Sequence, residues 1–285
     1  MKKKVKAIHT GIYDPIADLK TWRAMPTQDI NNLDPFLFLN HHGPQKYEPD
    51  NNGLPFGPHP HRGFETLTFV LQGDITHKDS VTGESVINAG GIQWMTAGSG
   101  LIHAEVSSEK FKKEGGMEEV IQLWFNLPSN LKMIEPNYIG LQKDKIPAVK
   151  TEDGLGTVHL VSGHYNGEKG PVKSLTGLFT STIDLSENGE FHIELPDDNQ
   201  VLLYVINGNI NIEGHQAKTH QLIELSLEGN ELFFSANEDS QIIFCFGKPF
   251  NEPIFAHGPF VMNTAEEINQ AIEDFQSGKL GTMKI

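Results

Sequence analysis

Short apolar segments alternate with turn residues along most of this chain. Segments such as 66–72, 201–206 and 241–246 have the length of strands, and glycine, asparagine and aspartate separate such segments. Their spacing of about 8–12 residues is typical of all-β sandwiches and barrels. The dipeptide Asn207-Gly208 lies between two of these segments and predicts a two-residue hairpin, because a type I′ turn needs positive φ at both positions.

The C-terminal region has the pattern of an amphipathic helix. Thr264 and Glu267 are spaced as a capping box, and Gly278 stands where a glycine commonly ends a helix. The apolar residues between them recur at helical spacing, namely Ile268, Ala271, Ile272 and Phe275. We therefore expect one helix after residue 264.

The two halves of the chain share a faint repeat. In each half a strand enters a glycine turn, at Gly73 and at Gly208, and further strands follow. Prolines and charged residues interrupt the strands near residues 130–150. The sequence therefore predicts two tandem β-barrels with a C-terminal helix, the first over residues 1–135 and the second over 136–285.

Composition narrows the functional classes. The 285 residues include 22 Lys and Arg against 37 Asp and Glu, so the net charge of −15 disfavours direct contact with nucleic acid. The apolar runs are far shorter than the roughly 18 residues of a membrane span, and no signal-peptide core follows the basic start. We expect a monomeric cytoplasmic protein that does not bind membranes.

The single cysteine of the chain, Cys245, excludes an intramolecular disulfide and is expected to be buried and inert.

Histidines are concentrated in the first half. Six of the 13 lie between residues 41 and 103. His59 and His61 are two residues apart, as are His103 and Glu105, and residues at i and i+2 share one face of a strand. Two neighbouring strands would then offer three imidazoles and one carboxylate to a divalent ion such as iron, copper, nickel or manganese. An octahedral ion would keep two positions open for substrate.

These residues match sequence motifs. The spacing of Gly53, His59, His61, Glu65 and Gly73 is very nearly that of the first cupin motif. Part of the second motif follows at residues 100–103, although glycine replaces the usual proline at position 98.

The wider pattern resembles the pirin family of bicupins and spans nearly the whole chain. The matching stretches are residues 59–66, 77–80, 91–105, 122–128, 167–171 and 253–263. The resemblance implies two tandem cupin barrels. It also implies relatedness to dioxygenases that open the central ring of flavonols such as quercetin.

The resemblance also implies a ligand set. The family's metal ligands fall on His59, His61, His103 and Glu105. Iron(II) is the expected metal, with manganese, nickel, copper or zinc as alternatives. Glu65 binds metal in many other cupins but is usually not a ligand in pirins.

Flavonol oxidation needs a base for the flavonol hydroxyl, and Glu65 is the candidate. If the strand is regular, Glu65 lies four residues after His61 on the same face. The alternative is that it orients a histidine by accepting its second N–H. His41 and His42 are expected in a loop or at the rim, and His77 at the surface, hydrogen-bonded near Asp79.

Three functions remain open at this stage. The first is a dioxygenase that acts on a small phenolic substrate with dioxygen. The second is a non-enzymatic regulator that binds a protein partner, as pirins described as transcription co-regulators or linked to metabolic enzymes do. The third is a cupin isomerase or another metalloenzyme, because one metal site serves many reactions.

The second half of the chain lacks the pattern of metal ligands and is expected to be metal-free.

Overall fold

The structure is a computed structural model that describes residues 1–81 and 83–283. Most of the described residues that form regular structure lie in β-strands. The first strands are β1 (Val5–Thr10), β2 (Ile12–Tyr13), β3 (Thr21–Met25), β4 (Phe36–Tyr47), β5 (Phe56–His61), β6 (Phe64–Gln72), β7 (Asp74–Asp79), β8 (Glu84–Asn88), β9 (Ile92–Thr96), β10 (Leu101–Val106), β11 (Gly116–Asn126), β12 (Asn137–Leu141) and β13 (Ala148–Lys150). The later strands are β14 (Gly156–Ser162), β15 (His164–Tyr165), β16 (Glu168–Lys169), β17 (Phe179–Leu185), β18 (Glu190–Glu194), β19 (Gln200–Asn207), β20 (Asn209–Ile212), β21 (His215–Lys218), β22 (Gln221–Leu225), β23 (Glu231–Ala236), β24 (Ser240–Gly247), β25 (Phe255–His257) and β26 (Phe260–Met262). The helices are α1 (Glu109–Glu114), α2 (Ala265–Gln276) and a 3₁₀ turn at Lys143–Lys145.

The chain forms two compact units, each assembled from several segments. The unit that we call the N-terminal unit comprises Tyr13–Trp22, Leu37–Lys143 and Phe250–Ile285. The C-terminal unit comprises Met1–Ile12, Arg23–Phe36 and Asp144–Pro249. The predicted boundary at residue 135 divides the chain at a single point. In the structure, each unit takes segments from both sides of that point, so that α2 belongs to the N-terminal unit and β1 to the C-terminal unit.

Two large antiparallel sheets and the two-stranded sheet β25-β26 build the N-terminal unit. The larger has the order β12-β9-β6-β11-β4-β3-β2, and the smaller has the order β5-β10-β7-β8. Apolar residues from both sheets form one core cluster, with Val70 and Val120 from the larger and Ile75 and Ile87 from the smaller. The smaller sheet carries the two strands in which the sequence places the metal ligands, β5 and β10.

The C-terminal unit repeats this plan. Its larger sheet has the order β1-β22-β19-β24-β17-β14-β13, and its smaller sheet has the order β18-β23-β20-β21. The core between them contains four buried phenylalanines, Phe179, Phe191, Phe234 and Phe244. Each buried side chain of this size contributes about 1.5–3 kcal/mol. The predicted all-β class with a C-terminal helix is confirmed.

The hairpin prediction at Asn207-Gly208 is wrong. β19 pairs with β22 and β24 in the larger sheet, whereas β20 pairs with β21 and β23 in the smaller one. Gly208 has φ of 90°, and a Cβ there would lie 2.2 Å from Ser240 Oγ. The glycine therefore carries the chain from one sheet to the other.

The helix prediction is confirmed in its main features. Thr264 caps α2, and its side chain and that of Glu267 form both hydrogen bonds of the capping box. Ile268 and Ala271 are buried against the core, whereas Phe275 is 38% exposed. Gly278 lies just after the C-cap residue with φ of 78°, as expected for a residue that ends a helix.

Two further sequence expectations can be compared with the structure. Cys245 is buried in β24, and burial raises the pKa of its thiol, so the side chain is an inert core residue as predicted. Among the described residues, no helix combines the length and the apolar character that crossing a bilayer requires.

Candidate metal centre

Three histidines converge where β5 pairs with β10. The antiparallel register sets His59 directly opposite His103, and His61 follows two residues later on the same strand. One ring nitrogen from each histidine lies within 4.8 Å of the others. The Nε2 atoms of His59 and His103 are 2.9 Å apart. The i, i+2 spacing thus places His59 and His61 together, and the pairing of β5 with β10 adds His103.

Hydrogen bonds to carbonyl groups orient two of the rings. His59 Nδ1–H donates to the carbonyl oxygen of Gly57 at 2.8 Å, and His61 Nδ1–H donates to that of Pro259 at 3.3 Å. In each ring the proton on Nδ1 leaves Nε2 with its lone pair. These are the tautomers that a metal ligand requires.

Burial keeps the rings of His61 and His103 uncharged. His61 is 2% exposed and His103 is fully buried. Burial, followed by the charge of His59, lowers the pKa of His61 to about 3. Burial and the neighbouring histidines lower the pKa of His103 well below its usual range. Neutral imidazoles at neutral pH are competent ligands.

The three histidine side chains therefore have the chemistry that a metal site requires. His61 Nε2 is buried and has no hydrogen-bond partner among the described residues, a costly state unless another group binds it. Three convergent imidazoles suit iron, copper, nickel, zinc or manganese better than calcium or magnesium.

Glu105 lies beside this cluster on β10. Its Oε2 is 4.0 Å from His103 Nε2, and the pairing of β10 with β5 shifts register between His103 and Glu105. Its oxygens accept hydrogen bonds from Gln122 Nε2 at 2.6 Å, from Gln93 Nε2 and from Thr68 Oγ1 at 3.3 Å. The carboxylate is thus oriented next to the triad, and its role as the fourth ligand stays a prediction.

Glu65 is buried on β6, and its hydrogen bonds join it to residues other than the three histidines. Its Oε1 accepts from Trp94 Nε1 at 3.0 Å and from Thr96 Oγ1 at 2.6 Å. Burial raises the pKa of this carboxyl group. Thr68 contacts Glu105, and alternation along β6 then places Glu65 on the opposite face.

The assumption behind the Glu65 prediction is a regular strand from His61 onward. β5 instead ends at His61, and β6 begins at Phe64 after a turn at Gly63 with φ of 87°. Counting residues across this turn does not preserve the face. The catalytic role of Glu65 stays a prediction that is tested below.

The surface assignments of three other histidines are wrong. His41 and His42 are buried within β4, where His41 Nε2 lies 2.9 Å from Glu119 Oε1 and His42 Nδ1 lies 2.8 Å from Thr21 Oγ1. β4 is 12 residues long, so these histidines belong to a strand rather than a loop.

His77 is also buried, and it borders the triad. Its Nε2 lies 2.7 Å from Asp79 Oδ2, which agrees with the predicted pairing, but the residue is only 1% exposed. Its ring centroid is 5.4 Å from that of His103 and 3.9 Å from that of Tyr138, on which it stacks. Sequence reasoning missed this buried polar group, although the i, i+2 spacing of His77 and Asp79 is visible in the sequence.

An aromatic wall borders His61. The centroid of Trp124 is 5.2 Å from that of His61, and Trp124 stacks on Phe38 at 4.5 Å. Both aromatic residues are only partly buried. They give the site an apolar side suited to a planar ring.

Comparison with known proteins agrees with this geometry. Residues 18–125 match the Pirin family, and residues 180–281 match the Pirin C-terminal cupin domain. A Pseudomonas aeruginosa protein, provisionally named a quercetin 2,3-dioxygenase, is 38% identical over 87% of this chain and 87% of its own. Human Pirin is 35% identical over 91% of this chain and 87% of its own.

A solved structure extends the match to the whole fold. The crystal structure of quercetin 2,3-dioxygenase from Acinetobacter baumannii superimposes with a TM-score of 0.91 at 33% identity and covers 100% of both chains. The predicted architecture of two cupin domains with a short C-terminal helix is thereby confirmed.

Proposed function

The chain belongs to the pirin family, and we propose that it is a metal-dependent dioxygenase that opens the central ring of flavonols such as quercetin. The observation that carries the proposal is the convergence of His59, His61 and His103 beside a partly exposed aromatic wall. The names of the Pseudomonas and Acinetobacter relatives support the same reaction class.

His59, His61 and His103 would hold the metal ion, with Glu105 as the fourth ligand. Iron(II) is the ion that we propose, and manganese, nickel, copper and zinc are alternatives that the same donors accept. When bound, such an ion supplies Lewis acidity for the flavonol oxygen and a template for flavonol and dioxygen.

The surrounding residues fix this arrangement. Gln93 and Gln122 donate to Glu105 and hold its carboxylate toward the triad. The carbonyl group of Pro259 keeps the His61 ring in its orientation. Trp124 packs between Phe38 and Phe64, so the partly exposed edges of Phe38 and Trp124 would form the apolar side against which the flavonol rings lie.

We further propose that the substrates are a small phenolic molecule and dioxygen, and that the protein acts in the cytoplasm as a monomer. The net charge of −15 argues against direct contact with nucleic acid.

The proposal is tested by following the flavonol absorbance of quercetin in air. We expect the iron-loaded protein to consume quercetin, whereas His103→Ala should lose turnover together with its iron. His215→Ala removes an exposed histidine of the C-terminal unit and should behave as the wild type. If the iron-loaded wild type leaves quercetin unchanged, the proposal fails, and a regulator with a protein partner becomes the better account.

A further inference from the structure

A cavity lies within the C-terminal unit. It has a volume of about 580 Å³, and its lining includes Tyr165, Phe179, Phe246, Glu152 and Glu194. We call it the C-terminal cavity. Sites for small organic molecules usually measure about 300–1,000 Å³, so this volume suits a ligand larger than a single ion.

Aromatic rings form the apolar part of its lining. Phe179 and Phe246 stack with centroids 4.7 Å apart and planes inclined by 7°. Phe179 is buried in the core, whereas Phe246 is only partly buried. Tyr165 adds a third ring, and it stacks on Phe191 of the core at 5.8 Å. Tyr165 is only 5% exposed, so the partly buried Phe246 is the ring that a ligand in the cavity can contact.

The charged groups of the lining are acidic. Glu152 and Glu194 contribute carboxylates, and no lysine or arginine stands among the described lining residues. Burial, followed by the negative charge of Glu152, raises the pKa of Tyr165. The negative charge of Glu152 therefore acts on Tyr165, one of the aromatic residues of the lining.

The histidine of β18 adds a polar group to the same lining. His192 is a partly exposed residue of the lining, and its Nε2 lies 3.4 Å from Glu231 Oε1, which adds a further carboxylate close to the cavity.

These features exclude several ligand classes. Within the described part of the chain, the three-donor cluster at His59, His61 and His103 is the group placed to hold a metal ion, and it uses no residue of this cavity. Carboxylates, phosphates and flavonol anions would meet like charge at Glu152 and Glu194. A cation with an apolar body satisfies both the acidic and the aromatic parts.

We propose that the C-terminal cavity binds a small organic cation, an ammonium group joined to an aromatic or similarly apolar body. The ammonium group pairs with Glu152 and Glu194, and the apolar body packs on Phe246. Attraction between a cation and ring faces strengthens binding in a partly desolvated site.

Three probes of similar size test the proposal by isothermal titration and by NMR of the intact protein. They are 2-phenylethylammonium, 2-phenylethanol and phenylacetate, which differ mainly in charge. We expect the ammonium ion to bind at least about tenfold more tightly than phenylacetate, with the alcohol between them. Equal affinities, or binding of none of the three, would overturn the proposal.

Matched variants locate the site. The double variant Glu152→Gln and Glu194→Gln should lose most of the preference for the ammonium ion, and Phe246→Ala should weaken all probes that bind. Glu228→Gln with Glu238→Gln makes the same charge change at exposed positions outside the cavity and should keep wild-type binding. Binding of the ammonium ion that the first double variant leaves intact would contradict this assignment. The iron content of every variant should equal that of the wild type.

Discussion

At the triad, the ring nitrogens that face one another decide what the site can bind. The carbonyl groups of Gly57 and Pro259 each accept a hydrogen bond from an Nδ1–H group, so the Nε2 atoms of His59 and His61 keep lone pairs that can bind a metal ion. This arrangement depends on backbone contacts as much as on the histidines themselves. Pro259 lies 198 residues from His61 in sequence, so local sequence patterns alone do not reveal the contact.

Replacing His59 should remove the metal without unfolding the protein, since this residue is only partly buried. We expect iron in His59→Ala to fall below about a tenth of the wild-type content, because the chelating set loses one donor. Metal analysis of freshly purified protein measures this, with His215→Ala as the matched control. A His59→Ala protein that retains stoichiometric iron would refute the ligand assignment.

The variant Glu65→Gln tests the base role against the observed placement of Glu65. A base role predicts that Glu65→Gln keeps its iron and loses most turnover. The placement of Glu65 on the far face of β6 predicts instead that turnover stays within about threefold of wild type, since no direct proton transfer is lost. We expect the second outcome in the quercetin assay. Loss of most turnover at full iron content would contradict the geometric account and support the base role.

Among the elements, the sequence predicts the strands β5 and β10 and the helix α2. It does not predict how the chain connects one element to the next. The i, i+2 histidines and the capping box at Thr264 depend on local spacing, which sequence preserves. The face of Glu65 depends on the turn at Gly63, and the path at Gly208 depends on which sheet the next strand joins. These outcomes are set by long-range pairing, and a residue count across a turn does not record it.

The C-terminal helix is tied to the turn that follows His61. Asp274 of α2 accepts hydrogen bonds from Arg62 Nη1 at 2.9 Å and from Lys279 Nζ at 2.6 Å. Arg62 Nε also donates to the carbonyl oxygen of Ser99 at 2.7 Å. Hydrogen bonds, first from Lys279 and then from Arg62, hold the pKa of Asp274 well below its usual range.

Asp274→Asn should therefore loosen α2. We expect its backbone amides to exchange hydrogen several-fold faster, while those of β19 in the C-terminal unit stay protected. Hydrogen-exchange mass spectrometry measures this, and Glu273→Gln is the matched control because Glu273 is exposed. Unchanged exchange in α2 would show that Asp274 does not anchor the helix.

β11 carries a buried carboxyl group that makes stability depend on pH. Burial, and then the charge of Asp74, raise the pKa of Glu118 to about 9. The unfolded value is about 4.3, so between these values the folded protein retains a proton that the unfolded chain releases. This contribution to stability is fully present below the unfolded pKa and is lost progressively as pH rises toward 9.

Glu118→Gln should remove this dependence. We expect the variant to match the wild type near pH 4 and to exceed its free energy of unfolding by roughly 1–3 kcal/mol at pH 8. Denaturant titrations across this range measure the difference, with exposed Glu114→Gln as the control. A difference that does not change with pH would contradict the assignment.

At the scale of the whole molecule, the two units have similar sheets but different residues in their interiors. The N-terminal unit places three imidazoles on its smaller sheet, whereas phenylalanines fill the core of the C-terminal unit. The repeat, the all-β class and the clustering of histidines were all visible in the sequence. The assembly of each unit from separate segments was not, because β1 and α2 join their units through contacts that are distant in sequence.

The central claim is that the histidine triad supports dioxygenation of a flavonol. Its most direct test is turnover of quercetin by the iron-loaded protein under oxygen-18 gas, with the products analysed by mass spectrometry. The account predicts that both atoms of one dioxygen molecule enter the ring-opened product and that His103→Ala forms none of it. A product that carries no gas-derived oxygen, or hydrogen peroxide formed in its place, would contradict the account.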